Sequence, residues 1–132
     1  MASTSPSVAR TRFNILSIDP AGCRKPDDVD LDWNTVEVDL RYERSPESLY
    51  SGNSAHGYWL HVTPMKIEQK YGASMCTVNL FTGCKIHLSS VKRRCKSNQE
   101  KALCLAKQTM PRVVKWLTSE YGITIEEKEL VA

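Results

Sequence analysis

The sequence predicts an α+β fold, with a single antiparallel sheet of about five strands and one long C-terminal helix packed on one face. Three observations predict it. Short segments that alternate apolar and polar residues fill the first two thirds of the chain, stretches rich in Ser, Gly and Pro separate them, and one long segment with helical spacing follows. The 132 residues, 41% of them hydrophobic and 25% charged, suit one globular domain.

Three strands are predicted before residue 70. Residues 13–18 (FNILSI) form a short strand candidate, and 34–42 (NTVEVDLRY) form the clearest one, because its apolar residues occupy every second position. Residues 58–67 (YWLHVTPMKI) contain Pro64, which has no N–H to donate to a ladder. That strand should therefore lie at an edge or be broken at Pro64.

The segment 77–97 (TVNLFTGCKIHLSSVKRRCKS) predicts a hairpin that turns at Thr82-Gly83 and leads into a cluster of cations. One face of the hairpin would join Cys76, Val78 and Leu80 to Ile86 and Leu88 in the core. The opposite face would be open, and it would carry Thr77, Asn79, Phe81, Lys85, His87 and Ser89. An aromatic ring exposed among small polar groups and a cation favours a binding surface.

The long helix is predicted from about residue 97 to residue 121. Ser97 and Glu100 have the spacing of a capping box, and Gly122 suits the position after the last turn. Pro111 falls inside, so we expect a kink there or two helical pieces that meet near Thr109. The segment after Gly122 (ITIEEKELVA) predicts a last strand and an acidic tail, which divides the chain into a flexible tail 1–11, a domain 12–125 and a tail 126–132.

The five cysteines, Cys23, Cys76, Cys84, Cys95 and Cys104, favour reduced thiols in an intracellular protein, because the count is odd and no export signal is visible. A zinc site of Cys84, His87, Cys95 and Cys104 would have a spacing that no standard zinc motif shows. We therefore predict no metal and no cofactor. No apolar run is long enough to span a membrane, so no membrane partner is expected.

Charge is segregated along the chain. Residues 85–115 contain nine bases and one acid, whereas residues 19–50 contain nine acids and four bases. Such segregation predicts one basic region that faces an anionic partner. The same cluster, VKRRCK, looks like a short nuclear-import signal, so the nucleus is favoured over the cytoplasm.

Residues 76–121 resemble one half-repeat of the TATA-box-binding-protein fold. The resemblance rests on Leu80-Phe81-Thr82-Gly83, on the strand Lys85–Lys92 that follows, and on the helix after it. It implies a concave DNA-binding face, on which Phe81 wedges between base steps, Ser89 and His87 line the minor groove and Asn79 contacts bases. Because no second half-repeat is present, it also implies pairing with a second copy or with another protein.

A second resemblance, to the double-stranded-RNA-binding domain, rests on the basic start of the helix (KRRCKSNQEKALCLAK). It implies that Lys92, Arg93, Arg94 and Lys96 contact phosphates at the positive end of that helix. Both resemblances imply a nucleic-acid-binding protein. The first, which we favour, implies action in transcription or a related process and DNA as the ligand more than RNA.

The alternative function is a protein-interaction or dimerisation module whose open sheet face docks a partner. Trp59, Phe81 and Trp116 are its candidate anchors. Catalysis is not predicted, because the sequence shows no Gly-rich phosphate loop, no H-E-x-x-H and no nucleophile elbow.

Overall fold

The computed structural model describes residues 7–43, 57–79, 82–91 and 94–131. The strands are β1 (Ser7–Ile18), β2 (Thr35–Glu43), β3 (Gly57–Lys70), β4 (Ala73–Val78), β5 (Cys84–Ser90) and β6 (Ile123–Ile125), and the one long helix is α1 (Lys96–Tyr121). A single 3₁₀ turn, Pro26–Asp28, lies in the connection between β1 and β2. The predicted fold class is therefore confirmed, with six strands in the described part of the chain.

The sheet is antiparallel and has the order β4-β3-β2-β1-β6, and β5 also pairs with β3. The pairing of β2 with β3 is regular from Thr35↔Met65 to Glu43↔Gly57. Strand β3 is thus central, and both β4 and β5 lie along its other edge, β4 against residues 65–70 and β5 against residues 57–62.

The core lies between the sheet and α1. Alternate residues of β2 and β3, including Val36, Val38, Leu60 and Val62, are fully buried on the face that α1 covers. The helix contributes residues that share one side by helical spacing: Ala102, Ala106, Val113, Leu117 and Tyr121. The other face of the sheet, which we call the open face, therefore carries the intervening residues of each strand.

The predicted hairpin at Thr82-Gly83 is wrong. Strands β4 and β5 do not pair with each other, since each pairs with β3 in turn along one edge. The β4 ladder ends at Met65↔Val78 and the β5 ladder begins at Val62↔Cys84, so Thr63 and Pro64 lie between the two. Pro64 belongs to the residues of β3 whose backbone groups point towards that edge. Because Pro64 has no N–H, the ladder is interrupted there. Pro64 thus separates β4 from β5 along the edge of β3. The prediction that β3 is broken at Pro64 or lies at the edge of the sheet is wrong.

The tight turn lies earlier, at Tyr71-Gly72. Both residues have positive φ, 53° and 79°, and the strands that flank them pair from Lys70↔Ala73 onward. These are the features of a two-residue type I′ turn, whose twist matches that of paired strands.

The helix differs from its prediction at the start and in the middle. It begins at Lys96, with Cys95 as an N-cap residue that makes no side-chain cap hydrogen bond, so the predicted capping box of Ser97 and Glu100 does not form. It continues through Pro111 as one element, so the two-piece alternative is wrong. Gly122 does end the helix in the left-handed conformation, and a side chain there would overlap the carbonyl oxygen of Asp19.

Both predicted tails contain ordered contacts with the sheet. Strand β1 begins at Ser7, so residues 7–11 of the predicted N-terminal tail pair with β2. After β6, residues 126–131 run beside β1, and Leu130 is buried in the core. The sheet therefore extends beyond the boundaries that the sequence predicts for the domain.

Candidate nucleic-acid interface

The structure places the predicted binding residues that it describes at four locations, of which the fourth, the helix start with Arg94 and Lys96, is taken up below. Lys85 and His87 lie on the open face, whereas Asn79 lies exposed directly after the end of β4. Ser89 pairs with Tyr58, whose side chain is fully buried beneath α1. An irregularity in the register between Tyr58 and Trp59 turns Ser89 to the helix side, so it does not share a face with Lys85 and His87. Phe81, Lys92 and Arg93 lie outside the described residues.

Trp59 is the centre of the open face on β3. The Lys85 ammonium lies 4.8 Å from the centroid of its ring, and the His87 ring packs against its edge at 4.7 Å. The His87 ring also contacts the hydroxyl of Ser90 at 3.1 Å. These contacts cover much of the indole, so Trp59 is a packed residue of this face and is only half-exposed.

Glu43 contacts the basic side chains around Trp59. Its carboxylate lies 2.8 Å from Lys85 Nζ, 2.9 Å from His61 Nε2 and 3.7 Å from Arg41 Nε. Burial alone would raise the pKa of Glu43, but the hydrogen bond from Lys85 and the neighbouring positive charges outweigh it, so the pKa lies below 4.5. Burial lowers the pKa of His61 below 6.5, and the Glu43 carboxylate offsets this only in part.

The rest of the open face is also built from ion pairs. Glu37 lies 3.2 Å from Arg10 Nε and 3.1 Å from Arg12 Nε. Asp39 is buried, accepts a 2.6 Å hydrogen bond from the Ser7 hydroxyl and lies 3.7 Å from Arg41 Nε. The cations that the strands place on this face thus have carboxylates as neighbours, and much of their field is cancelled locally.

At the helix start, Arg94 and Lys96 differ. Arg94 is half-buried, and its Nε donates a 2.8 Å hydrogen bond to Gln99 Oε1. Burial raises the pKa of the nearby Tyr58 hydroxyl, and the charge of Arg94 opposes that rise. Lys96 is exposed. Of the predicted phosphate ligands that the structure describes, Lys96 is the more accessible to a ligand.

A further set of cations lies along the helix. Each residue turns the helix by about 100°, so residues that point away from the buried side share what we call the outer face of α1. No carboxylate of the described residues lies within ion-pairing distance of the cations on this face, and all of them are exposed. These cations are Lys96, Lys101, Lys107, Arg112 and Lys115. The acid on this face is Glu100.

The sequence predictions stop at Lys96 and omit the four cations that follow it. The available signal was the charge count, because residues 85–115 hold nine bases against one acid. The prediction assigned those bases to the sheet and the helix start, and so it did not consider the rest of the helix as a binding site. Their spacing puts them on the side opposite Ala102, Ala106 and Val113, which the same helical periodicity predicts to be buried.

The four residues of the zinc alternative do not come together. Among the residues that the structure describes, no group of three or more His, Cys, Asp or Glu side chains is placed to hold a metal ion. Burial raises the pKa of the Cys84 thiol to about 11, so it is protonated at neutral pH, whereas a zinc ligand is a thiolate. No helix in the described ranges is long and apolar enough to cross a membrane.

Comparison of the chain with protein-family models, with curated proteins and with solved structures finds no match in any of the three. The two resemblances therefore remain predictions that rest on the residues quoted for them.

Proposed function

We propose that this protein binds nucleic acid, and that the outer face of α1 supplies the phosphate contacts. The observation that carries the proposal is the run of five exposed cations from Lys96 to Lys115, with Glu100 as the acid among them and no ion pair to a described carboxylate. A polyanion gains most from such a face, because each phosphate contact releases counterions without first breaking a salt bridge.

The length of this face suits a nucleic-acid backbone. From Lys96 to Lys115 the axis of the helix extends about 28 Å, at 1.5 Å per residue. That distance corresponds to about eight phosphates along one strand of a duplex at 3.4 Å per step. Between the Lys and Arg side chains lie Ser97 and Gln108, which suit contacts to phosphate and sugar, and the exposed apolar residues Leu105 and Val114. The proposal is therefore for binding with little preference for base sequence.

The open face of the sheet is the weaker site for phosphates. A phosphate that approached Lys85 would have to compete with the Glu43 carboxylate at 2.8 Å, and one that approached Arg10 or Arg12 would compete with Glu37. Lys85 and His87 also lie on the face of the sheet opposite α1, so a strand bound along the outer face of α1 would not contact them. A mutation at Lys85 should accordingly weaken binding less than one on α1.

Two double variants with the same charge change test the proposal. K107Q/R112Q removes two cations from the outer face of α1, and K66Q/K70Q removes two that are ion-paired with Glu68 on β3. Binding of the full chain to labelled mixed-sequence duplex and single-stranded oligonucleotides is measured by fluorescence anisotropy. We expect K107Q/R112Q to bind about 10-fold more weakly near 50 mM salt and to lower the log–log salt slope by about 2.

K66Q/K70Q should bind with the affinity of the wild type, because the proposed phosphate contacts lie on α1 and this variant leaves them unchanged. Equal losses in the two variants would show that net charge attracts the oligonucleotide without a defined site. Affinity that does not depend on salt, or no binding at low salt, would overturn the proposal.

A further inference from the structure

Strand β4 forms an edge of the sheet on which all six residues, Ala73–Val78, are exposed. Its pairing with β3 is regular, so it is a formed strand and not a loop. The stretch 71–79 (YGASMCTVN) contains no charged residue. Edge strands are commonly protected by Lys, by Pro or by a covering segment, and within the described residues β4 has none of these on its outer side.

The hydrogen bonds of β3 show which backbone groups of β4 point outward. Ile67 N donates to Asn34 Oδ1 at 2.9 Å and Ile67 O accepts from Asn34 Nδ2 at 2.8 Å, and Met65 O accepts from Asn34 N at 3.0 Å. Odd-numbered residues of β3 thus point towards β2, and even-numbered residues bond to β4. The groups of β3 that bond to β4 belong to Lys66, Glu68 and Lys70.

These three residues pair with Thr77, Met75 and Ala73. The N–H and C=O groups of the remaining residues of β4, which are Ser74, Cys76 and Val78, therefore point away from the sheet. They form a ready-made half of a further ladder, flanked by side chains that are small or apolar.

We propose that two copies of this chain associate through β4, with the two strands antiparallel about a two-fold axis. When a strand pairs with its own copy, any charged residue near the axis faces an identical charge. Strand β4 has no charged residue, so its self-pairing places no like charges opposite each other. The charges nearest to β4 are already paired. On β3, Glu68 binds both Lys66 and Lys70, and the Arg12 guanidinium, which lies 3.8 Å from Cys76 Sγ, binds Glu37. This inference is independent of the nucleic-acid proposal.

The pleat limits the register. Residues directly opposite in an antiparallel pair share a face, so a two-fold axis perpendicular to the sheet requires a residue of β4 to oppose its own copy. Met75 or Cys76 at the axis gives the longest overlap of Ala73–Val78 with its copy. In either register two sheets become one, and both helices lie on the same face of it. Two outer faces of α1 would then point to the same side.

Sedimentation velocity of the full chain, with reductant, at high salt and without nucleic acid, tests the proposal. The wild type should show a dimer whose fraction rises with concentration. C76P removes an outward N–H but no bond to β3, so it should keep the fold and weaken association about 10-fold or more. Circular dichroism and thermal unfolding verify the fold of each variant.

A charge exchange gives a second, independent measurement. C76K and C76E should each be monomeric, because like charges meet near the axis, and an equimolar mixture of the two should recover a heterodimer. A wild type that is monomeric at several hundred micromolar would overturn the proposal, as would C76K that dimerises as the wild type does. Dimers of folded C76P with unchanged affinity would place the interface elsewhere and also overturn it.

Discussion

The two edges of the sheet are finished in opposite ways. At the β1 edge, the short strand β6 pairs with residues 15–18, and the segment 126–131 then continues beside residues 11–14. At the β4 edge, a six-residue strand is fully exposed and has no such cover among the described residues. Within the described ranges, the chain thus protects one edge with its C-terminal segment and leaves the other accessible.

The cover of the β1 edge relies on side chains as much as on a ladder. Glu126 N donates to Asn14 O at 3.0 Å, and Asn14 N donates to Glu126 Oε1 at 3.1 Å. Lys128 Nζ donates to Arg12 O, and Val131 N donates to the Thr11 hydroxyl at 3.0 Å. Charged groups that occupy an edge prevent a foreign strand from pairing there. The comparison teaches that the fold does not require an accessible edge. The β4 edge is accessible because of its own residues and because no described segment covers it.

The largest expected effect comes from removing the apolar anchor of the covered edge. Leu130 is 6% exposed and packs in the core, whereas Met75 on the bare edge is 53% exposed. L130A should lower the free energy of unfolding by about 2–3 kcal/mol, through lost burial and the cavity left behind. M75A should change it by less than about 0.5 kcal/mol. Urea denaturation at low protein concentration measures both.

Similar losses in the two variants would mean that the segment 126–131 is not anchored by Leu130. L130A should also expose the β1 edge, so its aggregation on prolonged incubation should exceed that of M75A. The opposite order would contradict the distinction between the two edges.

A smaller effect is expected from Asn34, which anchors the base of the β3–β4 hairpin. Its side-chain amide replaces a strand residue, since it both donates to and accepts from the backbone of Ile67. N34A should lower the free energy of unfolding by about 1–2 kcal/mol, because two backbone groups lose their partner. The amide of Ile67 should then exchange faster with solvent, as measured by hydrogen–deuterium exchange.

N34D is the matched control, because it keeps the acceptor for Ile67 N but loses the donor to Ile67 O. It should protect the Ile67 amide better than N34A does. If both variants leave that exchange rate unchanged, Asn34 does not stabilise the hairpin. The β3–β4 ladder alone would then hold β4 at its edge of the sheet.

Much of the fold could be predicted because local patterns determine it. The alternation through Val36, Val38 and Leu40 identified β2 and its buried face, and the apolar spacing after residue 97 identified α1. The partner of β4 could not be predicted in this way. A Thr-Gly pair between two apolar runs suits a hairpin turn. The observed pairing of β4 and β5 with β3, on either side of Pro64, depends on an earlier strand that the local pattern does not reveal.

The candidate site shows the same limit. The face of Lys85 and His87 was predicted correctly by counting alternate residues, but one irregularity of register moved Ser89 to the opposite face. The carboxylates that engage the sheet cations come from β2, far away in sequence. Charge counting along the chain cannot show such cancellation. The charges of the α1 cations are not cancelled in this way, because Glu100 is the acidic residue that lies among them on the helix.

The smallest effect concerns Glu126 and pH. The hydrogen bond from the Asn14 backbone N–H holds the pKa of Glu126 below 4.5, and Lys128 adds to this shift although the group is solvent-accessible. A lowered pKa in the folded state means that the contribution to stability is present above pH 4.5 and is lost as pH falls through the folded pKa.

E126Q keeps an acceptor for Asn14 but has no charge to titrate. The free energy of unfolding of E126Q should therefore fall less steeply than that of the wild type between about pH 5 and pH 3. E127Q is the matched control, since Glu127 is exposed and makes no contact of this kind with the described residues. It should follow the wild-type curve. Equal slopes for E126Q and the wild type would show that the charge of Glu126 does not stabilise the covered edge, and that the backbone bond from Glu126 N and the burial of Leu130 suffice to hold the segment there.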